Sequence, residues 1–215
     1  MRWIMAVLAV VLTVFLIMPV HYRWIGHIRS PWTHATKVMP TLICAAFAGT
    51  ALLRGGGRYS LLIFIGLLIC AAADVLLGIH FATGGTLFLA GHICYMAAFC
   101  THQRPTWWSA VVFAAVLALL WLFLWQFRPR IQNPMMFCGV LLYSAALAVV
   151  VGLSLPMPFL SFSARSLLAA AGALIFVLSD MGVCHASMYK IPQKLDFCYL
   201  GIYYLAQLLL GLSAF

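Results

Sequence analysis

Residues 61–79 read LLIFIGLLICAAADVLLGI and residues 166–186 read SLLAAAGALIFVLSDMGVCHA, two runs long enough to cross a bilayer, each with one aspartate deep inside it. A chain of 215 residues that is 66% hydrophobic and 7% charged, with a mean hydropathy of +1.11, falls outside the range of ordinary soluble domains. It reads as all-α, a polytopic transmembrane bundle forming one integral membrane domain over residues 1–215. About 20 mostly apolar residues cover the hydrocarbon. On that scale further spans fall at 3–20, 36–53, 82–101, 107–127, 134–155 and 195–214, which makes eight helices. Short connections carry the turn chemistry, among them Arg54-Gly55-Gly56-Gly57-Arg58, Arg104-Pro105 and Pro156-Met157-Pro158. The expected setting is multi-pass, in a bacterial inner membrane or another cell membrane. Arg2 and its apolar sequel have the outline of a signal peptide. The exit Ile17-Met18-Pro19-Val20-His21 lacks a small-x-small cleavage site, however, so this helix is expected to remain in the mature protein.

Twelve Lys and Arg against three Asp give a net charge of +9. Nearly all the cations lie at helix ends, where basic side chains reach lipid phosphates. Membrane lipids are therefore the expected partners, and nucleic acid is not. Arg2, Arg54, Arg58, Arg104 and Arg165 fall on one face and the other basic residues on the opposite one, a balance that sets no orientation. His21, His27 and His34, interleaved with Trp24 and Trp32, read as a belt at headgroup level. The seven cysteines are scattered without a CxxC pair and read as free thiols. HExxH, GxSxG and phosphate-loop patterns are absent, so no metal or organic cofactor is expected.

An acid near the middle of a membrane helix costs roughly 2.5–3.5 kcal/mol on insertion scales, so Asp74 and Asp180 call for a partner, a cavity or a reaction. They lie 106 residues apart, close to half the chain, and each follows a Leu-Ile pair, Leu68-Ile69 and Leu174-Ile175. Two four-helix repeats of like orientation would set the aspartates face to face. The up-and-down order brings Lys37, His92, Tyr203 and Tyr204 into the same leaflet. Each has a plainer reading as well: a buried ion pair or hydrogen bond for the aspartates, snorkelling for Lys37, a satisfied core histidine for His92. Two neighbouring carboxylates in an apolar pocket cannot both ionise readily, which leaves one as acid and the other as base. Asp196, beside Lys194 at a helix start, reads as a cap or surface ion pair.

At these residues the chain resembles the YhhN-type lysoplasmalogenase family, eight-helix membrane proteins that hydrolyse the vinyl ether bond of lysoplasmalogens. Thr36-Lys37-Val38-Met39-Pro40-Thr41 is similar to the family's Lys-Pro-Leu-Pro segment, Leu67 to Leu77 to its Gly-Asp helix, and His92-Ile93-Cys94-Tyr95 to its His-x-x-Tyr. Gly172 to Asp180 resembles its Gly-x-x-x-Phe-x-x-Ser-Asp helix, and Tyr203-Tyr204-Leu205-Ala206-Gln207 its Tyr-Tyr-x-Ala-Gln ending. Val38 stands where the family commonly has proline and Ala73 where it has glycine; neither change removes a reactive group.

The resemblance implies a hydrolase that takes a lysophospholipid substrate, a 1-alkenyl-glycerophosphocholine or -ethanolamine. Asp74 and Asp180 would be catalytic, and Lys37, His92, Tyr95, Tyr203, Tyr204 and Gln207 would contact substrate. Vinyl ethers hydrolyse by protonation at carbon and capture of the oxocarbenium ion by water, chemistry suited to two carboxylates. Lys37, with Lys190 or Lys194, would meet the headgroup phosphate. The rival expectations are a proton-coupled transporter of small molecules or lipid, and a lipid-binding or structural membrane protein. The sequence does not specify an oligomeric state.

Overall fold

The computed structural model describes residues 31–215 throughout and, ahead of them, residues 4, 7, 9, 10, 12–18 and 20. Most of the expected first span, 3–20, lies outside the described residues, as do His21, Trp24, His27 and the side chains of Trp32 and His34. Eight α-helices follow: α1 (Pro31–Leu53), α2 (Gly57–Ile79), α3 (Phe81–His102), α4 (Trp107–Trp125), α5 (Pro134–Ser154), a single turn α6 (Met157–Leu160), α7 (Ala164–Met188) and α8 (Gln193–Ser213). Seven are long and apolar enough to cross a membrane, and the all-helical polytopic bundle is borne out. Among the described residues there is no strand.

Local chemistry sets the boundaries. Asn133 caps α5, its side chain accepting from the backbone N–H groups of Met135 and Met136, with Pro134 at the first helical position, where a missing N–H is harmless. Ser163 and Ser166 exchange side-chain and backbone hydrogen bonds at the start of α7, satisfying two orphan donors. Gly55 and Gly57 adopt φ of 88° and 64° in the α1–α2 turn, the left-handed region that disfavours a side chain. The one departure that matters is α1. It begins at Pro31 rather than near residue 36, so Lys37 sits inside the helix instead of at its start, and Pro40 lies within it.

Six helices close into a ring. Going round it, α1 packs on α2, α2 on α3, α3 on α5, α5 on α7, α7 on α8, and α8 back on α1. Helix α4 stands outside against α5, and the segment Leu12–Ile17 stands beside α1. Moving three places round the ring carries α1 onto α5, α2 onto α7 and α3 onto α8, and it carries the segment beside α1 onto α4. This is the packing order that two repeated units would give, and it puts the two aspartate-bearing helices on opposite sides.

Small residues permit the close approach, as expected where dispersion and shape rather than water exclusion drive helix association. Ala48, Ala73, Ala98, Ala148, Ala173 and Ala206 are all fully buried at helix contacts. The outward face is the reverse: Leu122, Trp125, Leu142 and Leu178 are more than half exposed, an apolar surface suited to lipid. At the α2–α3 hairpin a side chain on Gly84 would collide with the backbone of Leu77. Backbone cannot swing aside, so Gly84→Ala is expected to destabilise the fold by about 1–3 kcal/mol. A lowered melting temperature of the detergent-solubilised protein checks it.

Candidate active site

Helix α2 carries Asp74 into the ring interior at 2% exposure. Its Oδ2 accepts two hydroxyl donors, Thr41 of α1 at 2.8 Å and Tyr203 of α8 at 2.8 Å. The Tyr203 oxygen in turn accepts from Gln207 Nε2 at 2.8 Å, one helical turn further along α8. The Gln207 carbonyl accepts from the Tyr95 hydroxyl of α3 at 3.0 Å. This line of polar side chains ends on Asp74, and the Tyr95 hydroxyl also reaches Cys70 Sγ at 3.5 Å. A side chain on Gly66 of α2 would strike the Tyr95 ring at 2.5 Å, so this glycine makes the room that lets Tyr95 reach Gln207.

Across the ring, Asp180 of α7 is half-buried, and its Oδ2 lies 2.6 Å from the Tyr143 hydroxyl of α5, a short hydrogen bond. His92 of α3, fully buried, places Nε2 3.1 Å from the same hydroxyl. Its Nδ1 is buried and has no hydrogen-bond partner. Each aspartate is therefore served by the preceding helix of its own half and by a helix of the other half. For Asp74 these are α1 and α8. For Asp180 they are α5 and, through Tyr143, α3.

Between the two networks stands Phe176. Its ring lies edge-on to His92 at 4.7 Å, to Tyr203 at 5.6 Å and to Phe88 at 6.3 Å, so one aromatic core touches both.

Of the residues singled out in the sequence, Asp74, Tyr95, Tyr203 and Gln207 form one hydrogen-bonded network, and Asp180 and His92 belong to the other. Tyr204 is set apart. Its hydroxyl donates to the backbone carbonyl of Lys37 at 2.8 Å, in the turn of α1 that holds Pro40, a residue with no N–H to give the helix ladder. Lys37 itself is half-buried, one turn before Thr41. Asp196 lies in the first turn of α8, seven residues before Tyr203, and belongs to neither network. Ser179, next to Asp180, donates to the Tyr199 carbonyl at 3.4 Å. Sequence reasoning did not single out Thr41 and Tyr143, the two direct donors from α1 and α5. Thr41 lay within a quoted motif, whereas Tyr143 had no local signal beyond one phenol in an apolar run. Among the described residues no group of three or more His, Cys, Asp or Glu side chains is placed to hold a metal.

A ring of apolar helices enclosing two carboxylates, phenols, an amide and an imidazole defines a polytopic helical protein with a polar site inside its bundle. The chain belongs to the YhhN family, whose model matches residues 32–214 and so takes in every residue of both networks. No curated protein and no solved structure matches the chain.

Proposed function

We propose that this chain is an integral membrane hydrolase that cleaves the vinyl ether bond of a lysoplasmalogen, using Asp74 and Asp180 as an acid–base pair. The observation that carries this reading is the pair itself: two carboxylates on opposite helices of one ring, each held by phenol donors and separated by one aromatic core. Family membership agrees with it.

A protonated carboxylic acid of the pair gives its proton to the alkenyl carbon, leaving an oxocarbenium ion beside the ionised partner. Water adds to that ion and passes a proton to the partner. The hemiacetal then collapses: its hydroxyl proton returns to the first carboxylate while the second protonates the departing glycerol oxygen. The products are a fatty aldehyde and a glycerophospho-base, and both carboxyl groups are back in their starting states. No metal or organic cofactor enters any step. Lys37, with Lys190 or Lys194 at the same end of the bundle, supplies positive charge for the headgroup phosphate. The vinyl ether of a lysoplasmalogen begins its tail just below the headgroup, so a phosphate held at Lys37 would set that bond near the depth of the aspartates.

The test is fatty-aldehyde release from choline and ethanolamine lysoplasmalogens by the detergent-purified protein, beside the saturated 1-alkyl analogues. Aldehyde is expected from the vinyl ethers alone. A well-folded sample that releases none sinks the reading, and proton-driven uptake into vesicles then becomes the measurement to make.

A further inference from the structure

We infer that the two aspartates divide the labour unequally: Asp180 carries the proton of the pair, Asp74 is the standing anion, and Tyr143 ties the proton on Asp180 to the tautomer of His92. This rests on the reading above and deepens it.

The donors that reach each carboxyl group carry the inference: two hydroxyls at Asp74, one at Asp180. Around Asp74 three donors line up head to tail, Tyr95 to Gln207, Gln207 to Tyr203, and Tyr203 to the carboxylate, with Thr41 adding a second hydroxyl on the same oxygen. The hydroxyl of Tyr203 has one proton, and its oxygen already accepts the Gln207 amide. Two hydroxyl donors converging on one carboxyl oxygen stabilise the ionised form, so this network favours the standing anion. Asp180 sits in a network that can run either way. A phenol and an imidazole each donate or accept, and the contacts are 2.6 Å and 3.1 Å.

The two directions have different ends. With Asp180 ionised, Tyr143 donates to it, so a neutral His92 must donate from Nε2, and Nδ1 is a bare lone pair. With Asp180 protonated, its O–H donates to Tyr143, Tyr143 donates to His92 Nε2, and the ring proton sits on Nδ1. The ring nitrogen at the open end is the buried Nδ1 that has no partner within the protein. In the proton-loaded state that atom carries an N–H with no acceptor in the protein, which a substrate oxygen would satisfy on binding. Tyr143 and His92 are thus positioning residues that act through Asp180. The half-buried placement of Asp180, against the sealed Asp74, leaves the proton donor as the member of the pair open to substrate.

Infrared spectroscopy of the substrate-free, detergent-purified full chain tests this without any turnover. At neutral pH the wild type is expected to show a carboxylic-acid C=O band that shifts in heavy water and is lost in Asp180→Asn. The band should move in frequency in Tyr143→Phe, which loses a partner of Asp180 only, and stay in place in Tyr203→Phe, which loses a partner of Asp74 only. A band moved by Tyr203→Phe and not by Tyr143→Phe, or no such band in the wild type, overturns the division. Ring-nitrogen NMR should find His92 protonated at Nδ1, and protonation at Nε2 overturns the coupling. Both phenylalanine variants keep the ring that packs the core, and their helical content and melting are checked first. Absent aldehyde release with this spectral pattern intact would sink the lipid reading alone; a reversed pattern with aldehyde release intact would sink the division alone.

Discussion

Asp74→Asn and Asp180→Asn are each expected to lower aldehyde release at least about 100-fold, the loss typical of removing a positioned acid or base. The amide matches the carboxyl group in shape, accepts through its carbonyl and donates through its N–H, so Tyr203 and Thr41 on one side keep an acceptor and Tyr143 on the other keeps a partner. What the amide lacks is a proton to give or a charge to set against an oxocarbenium ion. The folded bundle should therefore survive, with unchanged helical content, while chemistry stops. Combining the two substitutions should cost little more than either alone, because the pair acts as a unit. Asp196→Asn, in the first turn of α8, serves as the control and should leave the rate near wild type. Full activity in either single variant at the site would remove the aspartate pair from the mechanism.

Phe176→Ala is expected to bring the largest loss of stability, about 3 kcal/mol, at the lower end of the range for a buried phenylalanine. The lower end applies because the unfolded reference within a micelle or bilayer is itself apolar, so the loss is chiefly one of packing. Phe176 is 1% exposed and its ring meets His92, Tyr203 and Phe88 edge to face. Removing it opens a hole between the two carboxylate networks. Phe176→Leu, which keeps most of the volume, should recover more than half of the melting temperature lost in the alanine variant. Equal melting of wild type and Phe176→Ala would mean that the aromatic core is not what holds α7 against α3 and α8.

The spans were legible because a bilayer imposes one length and one polarity on every crossing segment, and this chain has little else between them. The seven described spans match the hydropathy reading to within a few residues at most ends. The start of α1 departs furthest, since Pro31 opens a helix that the apolar content of 36–53 alone does not reveal. The aspartates stood out for a related reason: charge in an apolar run is conspicuous. Tyr143 was not legible, because a phenol in such a run is ordinary and its partner lies 37 residues away on another helix. Nor was the separation of Tyr203 from Tyr204 drawn from the text. Adjacent residues on a helix point about 100° apart, so one phenol turns to Asp74 and the other to the backbone of α1.

The closure of the ring by α8 has a consequence for how the protein is made. Tyr203 and Gln207 lie on the final helix, and Tyr203 is 129 residues downstream of the aspartate it serves. At translation rates of about 5–20 residues per second, the second half of the chain takes on the order of 10 seconds to emerge. Throughout that interval α2 sits in the bilayer with Asp74 lacking its phenol, an acid held in lipid before its full set of donors exists. A chain stopped ahead of α8 therefore leaves Asp74 with Thr41 alone as a hydroxyl donor. The last helix to be made is thus the one that completes the setting of an acid placed in the membrane long before it.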